Sequence, residues 1–359
     1  MKIAILSAAK SIHTIKIVNS LTELGHSVRL YSLPDHKDND NAIKNEVEVI
    51  YLPHSGQKGY LFNASALKRS LKEWRPDILN AHYASGYGTL AAQTGFHPLL
   101  LSVWGSDVYD FPFKNDICRY ILERNIRKAD ALASTSNIMA ERTQKYNKAK
   151  KEIYTTPFGV DTAKFIPAAK LTSDTTVIGF IKGVSEKYGI QYLIKAFATV
   201  KKTFNEPLAL HIYGDGDQLE DMKQLAHDLN IYHDTVFFGR IPHKDVPAAL
   251  QTMDLFCVPS TLDSESFGVA AVEAMSCGLP VITSDADGLT EVMADNETGF
   301  IVERKNVNAM AEKILLLINN KKMRVTMGEA GRKRVLNHYD WNNNIKQLEK
   351  ALLETSQII

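Results

Sequence analysis

Short apolar runs alternate with amphipathic stretches along almost the whole chain. Residues 2–7 (KIAILS) are apolar and brief, the pattern of a buried parallel strand. Over 12–24, Ile15, Val18, Leu21 and Leu24 recur at helical spacing, and Gly25 follows as a helix stop. A second strand is predicted at 27–33. The beat continues with helices at 63–74, 86–95 and 115–128, and strands at 77–83, 99–105 and 130–136. After 157–167 (PFGVDTAKFIP) the rhythm restarts. Strands are predicted at 176–182, 208–214, 235–239, 254–260, 280–285 and 299–303, with helices at 189–203, 217–229, 244–252 and 306–319. The tail 341–354 has the pattern of an amphipathic helix. Strands and helices alternating at this spacing predict parallel sheets covered on both faces. The fold class is therefore α/β, two doubly wound Rossmann-like domains joined near 157–167.

Length agrees with that division, because 359 residues exceed one ordinary core and two domains of roughly 150–200 residues are the default. Ligands of such sheets bind beyond the C-terminal ends of the strands, and with two domains a cleft facing both is the expected site. A net charge of +1 gives no reason to expect a nucleic-acid partner. The halves differ, however: residues 1–165 carry 22 basic against 16 acidic side chains, and 166–359 carry 20 against 25. Cys118, Cys257 and Cys277 form no C-x-x-C pair and read as small buried thiols in a reducing, cytoplasmic compartment. The N-terminal apolar run is too short for a signal peptide, and no run of about 18 apolar residues spans a membrane.

Candidate chemistry falls at strand ends. The first strand-to-helix turn, 7–14 (SAAKSIHT), has no glycine, which disfavours a dinucleotide-dependent oxidoreductase. Ser11 and His13 lie in this turn, where a lone histidine is more often structural. Lys182 ends one strand and Lys187 lies five residues on. Spacing alone favours two solvated lysines; the alternative is a basic pair that meets a diphosphate beside helix N–H groups. In 213–217 (YGDGD), Gly214 and Gly216 permit a tight turn and close approach of a ligand to the backbone.

The stretch 265–273 (ESFGVAAVE) places two carboxylates eight residues apart. A helix beginning at Phe267-Gly268 puts Glu265 at its N-terminal mouth. At about 1.5 Å per residue, Glu273 would then stand about 12 Å along the axis. That exceeds the separation of about 5–9.5 Å between the paired acids of a glycosidase. The spacing suits an elongated ligand held at both ends. The alternative is a helix-capping Glu265 and a surface Glu273.

Taken together, FGVD (158–161), KGVSEKYG (182–189), YGDGD (213–217), GRIP (239–242), ESFGVAAVEAMSCGLPVI (265–282) and GF (299–300) resemble the retaining GT-B glycosyltransferases of family GT4. GHSV (25–28) and VWGSD (103–107) fit the same family. The resemblance covers nearly the whole chain, and the E-x7-E segment is its most specific part. It implies a GT-B fold with an N-terminal acceptor-binding domain over 1–163, on which helix 342–359 packs back, and a donor-binding domain over 164–341. It implies transfer of a hexose or N-acetylhexosamine, with retention, from a nucleotide sugar to a glycan or lipid-linked acceptor in surface polysaccharide (lipopolysaccharide or capsule) biosynthesis. Neither a cofactor nor a metal is expected.

By the same resemblance, Lys182 and Lys187 neutralise the donor diphosphate, Lys182 standing where the family often has Arg. Glu273 takes the ribose hydroxyls, Glu265 lies beside the donor sugar, and Ser266, Phe267 and Gly268 supply backbone contacts. Gly214, Asp215, Arg240 and Ile241 complete the donor set, the last two at the nucleobase. Trp104 stands where many members have a histidine. Ser11, His13 and Trp104 are thus placed on the acceptor side, with His82 and Asp107 as catalytic candidates beside Glu265. The basic stretches 68–75 and 142–151 are candidates for an anionic membrane surface, against the plainer reading of solvated helix faces. A sugar-nucleotide epimerase of the same fold and a non-catalytic nucleotide-sugar binder are the competing functions.

Overall fold

Apolar runs of four to six residues cannot stay in water, and in the computed structural model of the protein they form the centres of two parallel sheets. The structure describes residues 1–168 and 174–358. It divides into a first unit, Met1–Phe158 with Asn342–Ile359, and a second unit, Gly159–Trp341.

In the first unit the strands are β1 (Lys2–Leu6), β2 (Ser27–Ser32), β3 (Glu48–Tyr51), β4 (Ile78–His82), β5 (Leu99–Val103), β6 (Ala131–Ser134) and β7 (Ile153–Thr155), in the order β3-β2-β1-β4-β5-β6-β7. In the second they are β8 (Thr176–Ile181), β9 (Leu208–Tyr213), β10 (Thr235–Gly239), β11 (Leu255–Val258), β12 (Val281–Ser284) and β13 (Gly299–Val302), in the order β10-β9-β8-β11-β12-β13. All pairings are parallel. Strand order reverses between β1 and β4 and again between β8 and β11, so each unit is doubly wound and carries a switch point. Every residue of β4, β5, β6, β11 and β12 is buried, as a sheet covered by helices on both faces requires.

The edge strands β3 and β7 were not legible as apolar runs. Their side chains are mostly half-buried, β3 itself begins with the exposed Glu48, and Lys151 lies two residues ahead of β7. A long helix, Lys321–His338, also escaped the hydrophobic pattern. Its inward face is Met327, Gly328, Gly331 and Val335, with glycines where an apolar stripe would normally lie. They let the helix press onto the backbone at Gly278 and onto Met275, where a Cβ at Gly328 would stand 2.0 Å from the Gly278 carbonyl oxygen. Cys257 and Cys277 are buried, and burial pushes the Cys277 thiol up to about 12. Cys118 is only half-buried, which corrects the expectation of three buried thiols.

The chain passes into the second unit at Gly159 and leaves it at Trp341, and these crossings run side by side. Val160 bridges Asp340, and Trp341 N–H donates to the Val160 carbonyl at 3.0 Å. The helix Trp341–Ser356 then turns its later residues to the first unit, where Glu349 meets His26 Nε2 at 2.8 Å and Asn344 Nδ2 donates to the Phe158 carbonyl. Within the second unit Arg332 ties the incoming segment down. Its guanidinium donates to the Thr162 and Phe165 carbonyls and to both the carbonyl and the hydroxyl of Ser276. Replacing Arg332 by Ala removes these four bonds, although the Ser276 hydroxyl still donates to the Phe165 carbonyl. It should lower the unfolding free energy of the second unit by about 2 kcal/mol, read as a fall in denaturant midpoint. Lys, lacking the planar fork, should restore only part of it.

Candidate functional site

The residues that carry candidate chemistry in the second unit lie at the C-terminal ends of β8, β9, β10 and β11, around its switch point. Lys182 follows β8 directly. Its ammonium bonds Glu265 Oε2 at 2.5 Å, and Ser260 Oγ donates to the same oxygen at 3.2 Å. Burial disfavours the lysine's charge, but the Glu265 carboxylate opposes this, with help from Tyr188 and Glu273, and the Lys182 pKa is raised above its ordinary value. Lys187 donates to the Ser264 carbonyl at 3.0 Å, and the Tyr188 ring lies 4.6 Å from the Lys182 ammonium and 5.6 Å from that of Lys187. Both lysines therefore converge on the loop 260–265 instead of extending into solvent.

Loop closeness depends on glycine. Gly214 sits at φ +149°, where a Cβ would come within 1.8 Å of the Lys182 carbonyl oxygen. At Gly216 it would meet the Val184 carbonyl at 2.1 Å. These glycines let the neighbouring loops pack closely, as the tight YGDGD turn requires. Beside them lies a cavity of about 460 Å³. Lys182, Gly214, Asp215, Arg240 and Ile241 line it, so five residues of the donor set meet at one recess.

Glu265 and Glu273 are both buried, 6% and 8% exposed. The motif helix runs Val269–Ser276, starting later than predicted, and Gly268 precedes it at φ +82°. Glu265 is thus in the preceding loop and caps nothing. Its carbonyl accepts from Gly288 N–H at 3.1 Å, with no room there for a side chain: a Cβ on Gly288 would lie 2.2 Å from Phe267 N. Helical rise applies only from Gly268 onward, so the separation of about 12 Å between the acids no longer follows. Ser266, Phe267 and Gly268 are all buried between Glu265 and this helix. Glu273 Oε1 bonds His243 Nε2 at 2.7 Å, and the His243 ring lies 5.6 Å from that of Phe165.

In the first unit, His82 ends β4 and is fully buried. Its ring nitrogens meet Ser7 Oγ at 3.0 Å and Asn80 Oδ1 at 2.8 Å. Burial, with a smaller contribution from His13, lowers its pKa to about 3, so the ring is neutral. Asp107 is buried too. It accepts from the backbone N–H groups of Ala84, Trp104 and Gly105 at 2.7, 3.1 and 2.8 Å and so fixes the loop after β5. Burial pushes its carboxyl up against those three donors. Trp104 packs on His82 with ring centroids 4.4 Å apart, and on Phe158 at 5.3 Å. His13 stacks on Phe158 at 4.0 Å, while Ser11 is half-buried just ahead of the helix Ile12–Glu23. Tyr83, against Trp104, holds φ +67°, a strained value for a bulky side chain.

Two family models match this chain: Glycosyl transferases group 1 over residues 161–334, and Glycosyl transferase 4-like over residues 2–136. The chain belongs to the GT4-like glycosyltransferases. An uncharacterized glycosyltransferase of Methanocaldococcus jannaschii is 26% identical, over 96% of this chain and 94% of its own. A GDP-mannose-dependent α-(1-6)-phosphatidylinositol monomannoside mannosyltransferase of Mycolicibacterium smegmatis is 27% identical, over 74% of this chain and 72% of its own. Among solved structures, Anabaena HepE in complex with UDP superposes with a TM-score of 0.83 at 18% identity, covering 99% of this chain and all of the other. With the two doubly wound sheets, this likeness establishes the glycosyltransferase GT-B fold.

Three features of this glycosyltransferase's site escaped the sequence. His243 follows the GRIP turn and Tyr188 lies inside the KGVSEKYG segment, but neither spacing nor residue type marks them as partners of Glu273 and the lysines. Arg304 is the third. It bridges Asp263 and Asp285, each at 2.8 Å, and so anchors the loop that holds Glu265. Among the described residues no cluster of three His, Cys, Asp or Glu could hold a metal ion. Removing one member of a buried pair strands the other's charge. Lys182→Met and Glu265→Leu should each cost about 3 kcal/mol or more of stability. The double variant should lose far less than their sum. Urea unfolding of the three proteins measures the coupling, and simple additivity would show that the pair is not an energetic unit.

Proposed function

We propose that the second unit binds a nucleotide-sugar donor and that the first binds the acceptor. The observation that carries this reading is the meeting of Lys182, Lys187 and Glu265 beside the recess lined by Arg240 and Ile241. Two ammonium groups in the segment after β8 suit a diphosphate, and the recess suits the base. Glu273 takes the ribose hydroxyls, and backbone at Ser266, Phe267 and Gly268 meets the sugar. The HepE complex with UDP and the GDP-mannose-dependent relative support a nucleotide-sugar donor.

The reaction we infer moves a hexose or N-acetylhexosamine with retention to a glycan or lipid-linked acceptor of surface polysaccharide biosynthesis. It takes place at the cytoplasmic face of the membrane, and needs neither cofactor nor metal. We assign Glu265 the role of steadying positive charge on the departing sugar. His82 and Asp107 are enclosed and occupied, so we place neither at the reacting bond. Ser11, His13 and Trp104 remain the acceptor-side set.

Thermal-shift screening of nucleotide sugars identifies the donor, because a ligand that binds only the folded state raises the melting temperature. With that donor, Glu265→Gln should retain binding while transfer falls by about 10²-fold or more. EDTA should leave the wild-type rate unchanged. Full activity in the Glu265→Gln protein would remove the proposed role. Release of an epimerised sugar nucleotide would replace the transferase reading altogether, and stabilisation without turnover would mark a binding protein.

A further inference from the structure

We propose that the first unit docks on an anionic lipid bilayer through the helix Asp116–Lys128 and the turn Phe111–Phe113 ahead of it. Phe113, Ile117 and Tyr120 are exposed at 66%, 70% and 61%. Three large apolar side chains within eight residues form a patch, whereas single exposed ones are ordinary. At 3.6 residues per turn, Ile117, Tyr120, Arg124 and Arg127 fall on one stripe of this helix. The opposite stripe, Leu122, Asn125 and Ile126, is buried. The outward stripe therefore begins apolar and ends basic.

Side-chain contacts also join this helix to the basic run 142–151, which has five Lys or Arg and no acid. The Arg142 guanidinium lies over the Phe113 ring at 5.5 Å and over Tyr109 at 4.5 Å. Lys148 reaches Glu123, on the helix, at 2.6 Å, and Arg119 approaches the same carboxylate at 3.4 Å. Asp110 and Asp116 are the other acids of the segment 110–128, against five basic residues. Apolar side chains and cations thus share one surface of one unit.

A bilayer satisfies both parts at once. Rings and the isoleucine enter the boundary between headgroups and acyl chains, while Lys and Arg face anionic headgroups. A nucleic acid would engage the cations but leave Phe113 and Ile117 in water. A second copy would bring like-charged runs together. The inference rests on the lipid-linked acceptor proposed above, and its test needs no acceptor.

The full chain is sedimented with vesicles of phosphatidylcholine containing phosphatidylglycerol, and with phosphatidylcholine alone. Binding is expected only to the anionic vesicles, weakening several-fold as salt rises from about 0.1 M to about 0.5 M. A variant combining Phe113→Ser, Ile117→Ser and Tyr120→Ser should partition about tenfold less or weaker still, with unchanged melting temperature. Its transfer to a water-soluble acceptor should match wild type, which separates this inference from the transferase reading. Changing Lys145, Lys148, Lys150 and Lys151 to Gln should also weaken binding. No sedimentation with anionic vesicles would overturn the proposal. So would binding indifferent to both variants, or a dimer that the apolar variant abolishes.

Discussion

The second unit's site depends on the contact between Lys182 and Glu265. One residue ends β8 and the other lies in the loop after β11, so their 2.5 Å contact spans the switch point itself. Such a pair is a poor device for stability alone, since desolvation offsets much of the attraction and apolar side chains would pack as well. Its value lies in fixing two loops against each other with a concentrated charge at their meeting point. Much of the neighbourhood serves that end. Ser260 shares the carboxylate, Ser284 holds the Ser260 carbonyl, and Arg304 clamps Asp263 to Asp285. A diphosphate would bring a second negative group to the same lysine, and exchange between two anions is a natural way for donor binding to reorganise this loop.

Backbone proximity is the second constraint. Gly214, Gly216 and Gly288 are all places where a methyl group would overlap neighbouring backbone. They are fixed by the approach of one loop to another, before any ligand is considered. A glycine motif at the end of a strand is often attributed to phosphate approach. In this chain the nearer cause is the packing of β8's loop against those of β9 and β11.

Central strands were legible because a strand buried on both faces must be apolar throughout, and β4, β5, β11 and β12 are. Edge strands β3 and β7 are buried less and lose that signal. The helix Lys321–His338 was hidden because close packing replaced its apolar stripe with glycine. Spacing alone favoured two solvated lysines; the resemblance singled out Lys182, Lys187 and Glu265, and the fold brings these three to one loop. The start of the motif helix was misplaced for a local reason. Ser266 and Phe267 continue the small and apolar pattern, but Gly268 at φ +82° interrupts the helical backbone. His243 was invisible because its role comes from a loop that only the fold brings to Glu273.

In the first unit His82 and Asp107, polar residues at strand ends, have structural partners. His82, Asp107 and Trp104 sit at strand ends, as functional residues of such sheets do. Yet His82 is locked between Ser7 and Asn80, and Asp107 holds three backbone amides. Polar residues at a strand end are equally what a buried turn needs to satisfy its own backbone. Position cannot separate the two uses; only the partners can. What this end of the sheet retains is a ring cluster, with Trp104 against His82, Phe158 and a strained Tyr83. Strain in a bulky residue persists only when its surroundings hold it there. The indole at position 104 therefore takes part in a packed aromatic wall, and a histidine in its place would change the wall's shape as well as its proton chemistry.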